Sequence, residues 1–248
     1  IVGVAITISW ILCGIFFQAP DKSLVNAGGS AAKSGTPEMK QYTSGEMMRT
    51  KNFYLLLATM FFGLISYFMV SPVSQTYQID LGIPSAVAVS AVMLGSIVNA
   101  GARLVLPTLA DKVGRIVCIK GVLIVAVIAM GVLAVSRSLA VTVAVVLMYG
   151  CYGGIMGSFP SLTSSIFGMK HTGENYGFVM FGIVFATFGA PAISGLVSSN
   201  GYEMNVVFGI GAVFAVIAFV CLTLLGRNLV KEHAEKSVGA KKGTAQVR

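Results

Sequence analysis

Seven stretches of this sequence, roughly 1–19, 52–74, 86–106, 117–135, 140–159, 176–198 and 205–225, stay apolar for about twenty residues each, the length a helix needs to cross a bilayer core of about 30 Å. Backbone polar groups find no water in hydrocarbon, so only helices and closed barrels can span it. These runs are continuous rather than alternating, which selects helices. Charged residues make up 10% of the chain, against about 25% in an ordinary soluble domain. Mean hydropathy is +0.85. A soluble fold and extensive disorder are both excluded. The four cysteines, Cys13, Cys118, Cys151 and Cys221, all fall in apolar runs. They read as small buried apolar residues and not as a disulfide scaffold.

The net charge of +8 has a topological explanation. The segment 20–51 holds Lys22, Lys33, Lys40, Arg49 and Lys51, and the 107–116 loop with the following helix start holds Lys112, Arg115 and Lys120. The 160–175 loop adds Lys170, and the tail adds Arg227, Lys231, Lys236, Lys241, Lys242 and Arg248. Fifteen of the 17 basic residues therefore lie on one set of alternate loops. The other set carries Arg137 alone, beside Asp80 and Glu203. Loops rich in Lys and Arg stay in the cytoplasm, so the charge predicts a multi-pass protein of the cell membrane with a cytoplasmic C-terminus, and needs no nucleic-acid partner.

Four regions follow. The chain opens at Ile1, already inside an apolar run that lacks a basic flank and a small-residue cleavage site. Residues 1–19 are expected to be the last transmembrane helix of an N-terminal bundle whose remainder is missing. Residues 20–51, rich in Gly, Ser, Ala, Lys and Thr, read as a flexible cytoplasmic linker. Residues 52–225 form a six-helix transmembrane bundle, and 226–248 a polar cytoplasmic tail that is expected to fray. The fold class is an all-α membrane protein, a C-terminal six-helix bundle preceded by one helix of another.

The loop after the third run reads Leu106-Pro107-Thr108-Leu109-Ala110-Asp111-Lys112-Val113-Gly114-Arg115. Gly114 permits a tight turn between two helices. Asp111 can pair with Arg115 or face a neighbouring helix N-terminus, where the dipole favours negative charge. The pattern resembles the cytoplasmic loop signature of the major facilitator superfamily, Gly-x-x-x-Asp-Arg/Lys-x-Gly-Arg/Lys. Asp111, Lys112, Gly114 and Arg115 match it, whereas Pro107 stands in place of the first Gly and Ile116 in place of the second basic residue. The resemblance implies a gating role for these four residues.

Three further segments carry a narrower resemblance: Met48-Arg49-Thr50-Lys51-Asn52-Phe53-Tyr54-Leu55-Leu56, Asn99-Ala100-Gly101-Ala102-Arg103-Leu104, and Phe159-Pro160-Ser161-Leu162-Thr163-Ser164-Ser165-Ile166-Phe167-Gly168 followed by Asn175-Tyr176-Gly177. In this order they look like the C-terminal half of the oxalate:formate antiporter family, almost throughout the chain after residue 45. The resemblance implies a twelve-helix carrier that moves small carboxylates by alternating access, with no enzymatic activity. Its partners would be the lipid bilayer, a small carboxylate anion and the missing N-terminal half.

With Lys120 counted to the loop before it, Arg103 is the one charge inside a predicted span. Such a charge costs about 2.5–3.5 kcal/mol at mid-bilayer and should face protein or water. Ser96, Asn99 and Arg103 share a helix face at i, i+3 and i+7. A polar stripe ending in a guanidinium suits a planar carboxylate, gripped by two parallel hydrogen bonds. The family resemblance also makes the arginine of this motif a substrate-anion ligand. Extension towards the headgroups, or pairing with Asp111, is the alternative for Arg103. Tyr149 and Tyr152, beside Gly150, Gly153, Gly154 and Gly157, are candidates for the cavity wall or for plain helix packing. Tyr67, Ser71, Gln75 and Gln78, with Pro72 as a kink, are candidates for an outer lining.

The sequence departs from the family once. The lysine that members carry soon after Asn-Tyr-Gly falls here on Ile183. One cation in this half instead of two favours a monocarboxylate, such as formate, pyruvate or lactate, over oxalate. No Asp, Glu or His lies inside a span, which points to anion exchange or facilitated passage over a built-in proton relay. The spans lack the His pairs of a membrane haem protein and the clustered Cys or His of a metal site, so no cofactor is expected. A carboxylate receptor of carrier-like build, or a carrier of another solute in the same superfamily, would use the same residues.

Overall fold

The computed structural model describes residues 40–245, with side chains described through Glu232 and at Ala234. The expected span at 1–19 and the first twenty residues of the linker lie outside the described residues. Nine helices occupy the described part: α1 (Ser44–Met48), α2 (Lys51–Val70), α3 (Ser74–Asp80), α4 (Ser85–Val113), α5 (Arg115–Val135), α6 (Ala140–Phe167), α7 (Thr172–Val179), α8 (Phe181–Ser199) and α9 (Met204–Ala245). Six helical stretches are long and apolar enough to cross a membrane, with α7 and α8 counting as one. All six coincide with runs read from the sequence.

Local chemistry sets the helix ends. Thr50 caps α2 by accepting from the Phe53 N–H. Gly114, at φ +106°, separates α4 from α5 by one residue, a conformation that a side chain would strain. The apolar run read from the sequence ends at 106, before Pro107. The helix α4 continues through it to Val113 and is 29 residues long. Pro107 has no N–H to give the Arg103 carbonyl one turn back, but the rest of the ladder resumes beyond it. Pro72 acts more strongly than the kink expected of it: α2 stops at Val70, and a turn intervenes before α3.

α4 packs chiefly on α6, α5 joins α6 to α9, and α2 lies between α9 and α8. In α2, 61% of the apolar window is buried, against 11% in α4, so α2 is the central post and α4 presents a broad outer face. The interior is aliphatic and aromatic, with Leu56, Met60, Leu64, Phe159 and Phe208 all fully enclosed. In lipid such a core is held by close packing and by hydrogen bonds between helices, such as that from Ser66 Oγ to the Gly211 carbonyl at 2.9 Å.

Two boundaries differ from the sequence reading. Residues 40–50, grouped there with the flexible linker, hold α1. Thr43 and Glu46 form a reciprocal capping box, and Met47 is completely buried. Tyr42 donates its N–H to the Phe167 carbonyl at 2.9 Å, and Asn175 donates to the Tyr42 carbonyl at 3.0 Å. These bonds tie the segment to the α6–α7 turn. At the other end, the tail that was expected to fray continues α9 as helix to Ala245.

Candidate functional site

Arg103 sits four residues past Asn99, the midpoint of α4, and so about 6 Å along the axis from the helix centre. Its Nε–H donates to Asn99 Oδ1 at 3.1 Å, an i, i+4 bond along one face. Its guanidinium carbon lies 5.4 Å from the centre of the Tyr152 ring on α6. That ring stacks on Tyr67 of α2, centroids 4.3 Å apart and 13° from parallel. Tyr67 in turn meets Tyr149 edge-on at 5.4 Å. Tyr176 of α7 lies within electrostatic range of both Arg103 and Tyr152. Residues of α2, α4, α6 and α7 thus converge on one guanidinium.

Glycine permits this convergence. A Cβ on Gly153 would collide with the Asn99 carbonyl oxygen, and one on Gly157 would lie 2.8 Å from the Arg103 carbonyl oxygen. α6 therefore lays a bare backbone against the turn of α4 that carries Asn99 and Arg103. That contact sets how far the Tyr152 ring stands from the guanidinium.

Among the described residues Arg103 has no carboxylate partner. Asp111 pairs with Arg115 at 3.2 Å, Arg137 with Glu203 at 2.7 Å, and Glu174 with His171 at 3.9 Å. The cost of the lone cation is met locally. A hydrogen bond to a charged group contributes about 1.5–3 kcal/mol, and a cation–π contact about 0.5–2 kcal/mol. Together these match the insertion cost of about 2.5–3.5 kcal/mol. The Nε–H goes to Asn99, which leaves the two terminal amino groups as the fork that grips a planar carboxylate end-on. A cation, a ring of phenols and an exposed position can hold a small organic anion.

The other sequence candidates separate. Ser96 lies on the same exposed face, with its hydroxyl returned to the Val92 carbonyl at 2.9 Å. Tyr149 is buried, its ring against Gly95 and Tyr67, and is one layer removed from Arg103. The Tyr67–Gln78 stripe is broken by the turn at Pro72: Gln78 is fully buried and donates to the Ser74 carbonyl at 2.8 Å, so it forms no lining. Tyr176 was visible in sequence only as part of Asn-Tyr-Gly, because its approach to Arg103 depends on how α7 packs against α6 and α2. In the loop motif, Asp111 takes the first of its two options, the pair with Arg115 across the Gly114 turn. Lys112 is exposed there.

Six helices long and apolar enough to cross a membrane describe a multi-pass membrane protein, and its α4 carries an exposed guanidinium beside tyrosines of neighbouring helices. A family model described as Major Facilitator Superfamily matches residues 1–191. The chain belongs to the major facilitator superfamily, a family of membrane carriers. It is 26% identical to an oxalate:formate antiporter of Oxalobacter formigenes over 189 residues, 75% of this chain and 45% of that protein. It is 32% identical to the uncharacterised MFS-type transporter YhjX of Escherichia coli strain K12 over 146 residues, 58% of this chain and 36% of that protein. The matched stretch is less than half the length of either relative.

Proposed function

We propose that this bundle serves a secondary carrier that moves a small carboxylate by alternating access, with Arg103 as the anion's principal ligand. The arrangement that carries the reading is a cation inside a spanning helix, held at Nε by Asn99 and faced by Tyr152, with no carboxylate partner among the described residues. The similarity to the oxalate:formate antiporter supports the substrate class. Ser96, Tyr67 and Tyr176 complete the polar wall, and Tyr149 backs it. Ile183, half-buried near the start of α8, stands where a second cation would neutralise a dianion. The preferred substrate is therefore a monocarboxylate such as formate, pyruvate or lactate. The excess of Lys and Arg on one set of loops supports a cytoplasmic position for the Gly114 end. There the Asp111–Arg115 pair at the α4–α5 turn serves as a gating contact, made in one conformation and released in the other. Alternating access rocks two bundles about a midplane site, so flux requires a companion bundle.

Uptake into proteoliposomes by the carrier that contains this bundle tests the site. Arg103→Ala is expected to weaken apparent affinity by about thirtyfold or more, from the roughly 2–5 kcal/mol that a desolvated charge pair loses on truncation. Arg103→Lys should not restore it, because an ammonium lacks the planar fork. Unchanged uptake in Arg103→Ala would remove the assignment. A strong preference for oxalate over monoanions would remove the monocarboxylate reading, and binding without flux would make the protein a receptor.

A further inference from the structure

The seam between α5 and α9, at the Gly114 end, carries a second set of cations that the carboxylate site does not use. Lys120 stands five residues inside α5, about 7.5 Å along its axis from Arg115. Its ammonium lies 5.9 Å from the centroid of the Phe219 ring on α9. One turn nearer the helix end, Ile116 lies 3.5 Å from where a Cβ on Gly226 would stand. These two contacts set α5 and α9 antiparallel: Ile116 is level with Gly226, and Lys120, one turn further in, reaches along α9 with its ammonium towards the Phe219 ring. Phe219, Thr223 and Arg227 follow one another at intervals of four along α9, so Arg227 lies on the same flank two turns towards the helix end. Arg227 is exposed and Lys120 half-buried.

Three carboxylates described at this end are otherwise engaged. Asp111 holds Arg115 at 3.2 Å, Glu174 faces His171 at 3.9 Å, and Glu232 accepts from Asn52 at 2.9 Å. Lys120 and Arg227 are thus two cations on one seam, with no acid between them among the described residues. The surface running away from them is apolar and exposed on both helices: Ile124 on α5, Val216 and Val220 on α9. Two cations at the head of an apolar strip match an amphiphile with an anionic head and an acyl tail. A free anion would have no use for the strip.

We propose that this seam binds an anionic phospholipid of the adjacent leaflet, its phosphate between Lys120 and Arg227 and an acyl chain along Val216, Val220 and Ile124. The phosphate supplies the counter-charge for an ammonium placed well inside a spanning helix. The Phe219 ring holds that ammonium at the seam when the phosphate is absent. The site depends only on the helices crossing a membrane, and stands or falls apart from the carboxylate reading.

The test reconstitutes the protein in bilayer discs of phosphatidylcholine with phosphatidylglycerol and counts retained lipid by native mass spectrometry. The unaltered protein should retain phosphatidylglycerol in preference to phosphatidylcholine. Lys120→Gln with Arg227→Gln should lower that retention by roughly fivefold per cation. The control pair Lys51→Gln with Lys170→Gln, which removes the same charge at the same end, should leave it unchanged. Equal retention of the two lipids by the unaltered protein would overturn the proposal, and that measurement requires no variant. An equal loss in the control pair would overturn it too, as would displacement of the lipid by inorganic phosphate, which would mark a soluble-anion site.

Discussion

At the scale of single residues, the guanidinium of Arg103 is positioned by two neighbours of different kinds. Asn99 fixes its Nε edge through a hydrogen bond, and Tyr152 fixes its plane through a ring face. The second contact needs the ring and not the hydroxyl. Tyr152→Phe is therefore expected to keep substrate affinity near the parent value. Tyr152→Ala should weaken it by about two- to fivefold, the loss of an exposed cation–π contact of about 0.5–1 kcal/mol. Substrate titration of uptake rates separates the two. If Tyr152→Phe is as weak as Tyr152→Ala, the phenol itself is the ligand. The Asn99–Arg103 bond and the Asp111–Arg115 pair were legible in the sequence, because i, i+4 neighbours meet on any helix. The Tyr67–Tyr152 stack was not, since its partners lie on different helices and nothing local to either brings them together.

At the scale of elements, the α4–α6 contact is the most demanding in the molecule, because backbone meets backbone. Gly153→Ala puts a methyl group onto the Asn99 carbonyl and should cost about 1–3 kcal/mol, with the helices forced apart at Arg103 as well. Gly121→Ala on α5, where a Cβ meets nothing within 4 Å, should be neutral or stabilising by up to about 1 kcal/mol. Thermal unfolding of both variants in one detergent makes the comparison. Equal midpoints would show that α6 can step back without loss. α1 offers a pH-dependent element. The N–H of Thr43, and then its hydroxyl, hold the Glu46 carboxyl below its usual value. A depressed carboxylate stabilises the folded cap above its unfolded pKa, and that contribution disappears as pH falls through the folded value. The protection factor of the amides at residues 46–48, which corrects for the intrinsic pH dependence of exchange, should therefore fall below the ordinary glutamate range and stay flat from there to neutrality. A protection factor that is flat throughout would show that the capping box contributes nothing to α1.

At the scale of the whole molecule, orientation is the property to test. A Lys112→Cys variant in a background without native cysteines should react with an impermeant maleimide only when the cytoplasmic face is open. A Ser138→Cys variant should react from outside intact cells. The reverse pattern would invert the topology and move the Asp111–Arg115 turn to the opposite side. The number and kind of the described spans follow from composition alone, because lipid admits no other way to satisfy a backbone over twenty apolar residues. Helix ends were also readable where glycine or a threonine cap marks them. Proline carries no fixed outcome. Pro107 permits a helix to continue and Pro72 ends one, and the outcome depends on what packs around each, as α6 does against Pro107 at Gly157. The sequence by itself thus determined that the chain spans a membrane, where its membrane-crossing helices lie, and which stripe of α4 is polar. Only the tertiary structure decided that Arg103 would find Tyr152 and Tyr67, that Tyr149 would fall one layer behind, and that Lys120 would share a seam with Phe219. Side chains on separate helices meet only once close packing sets the helices' register and distance, and no periodicity within a single helix carries that information.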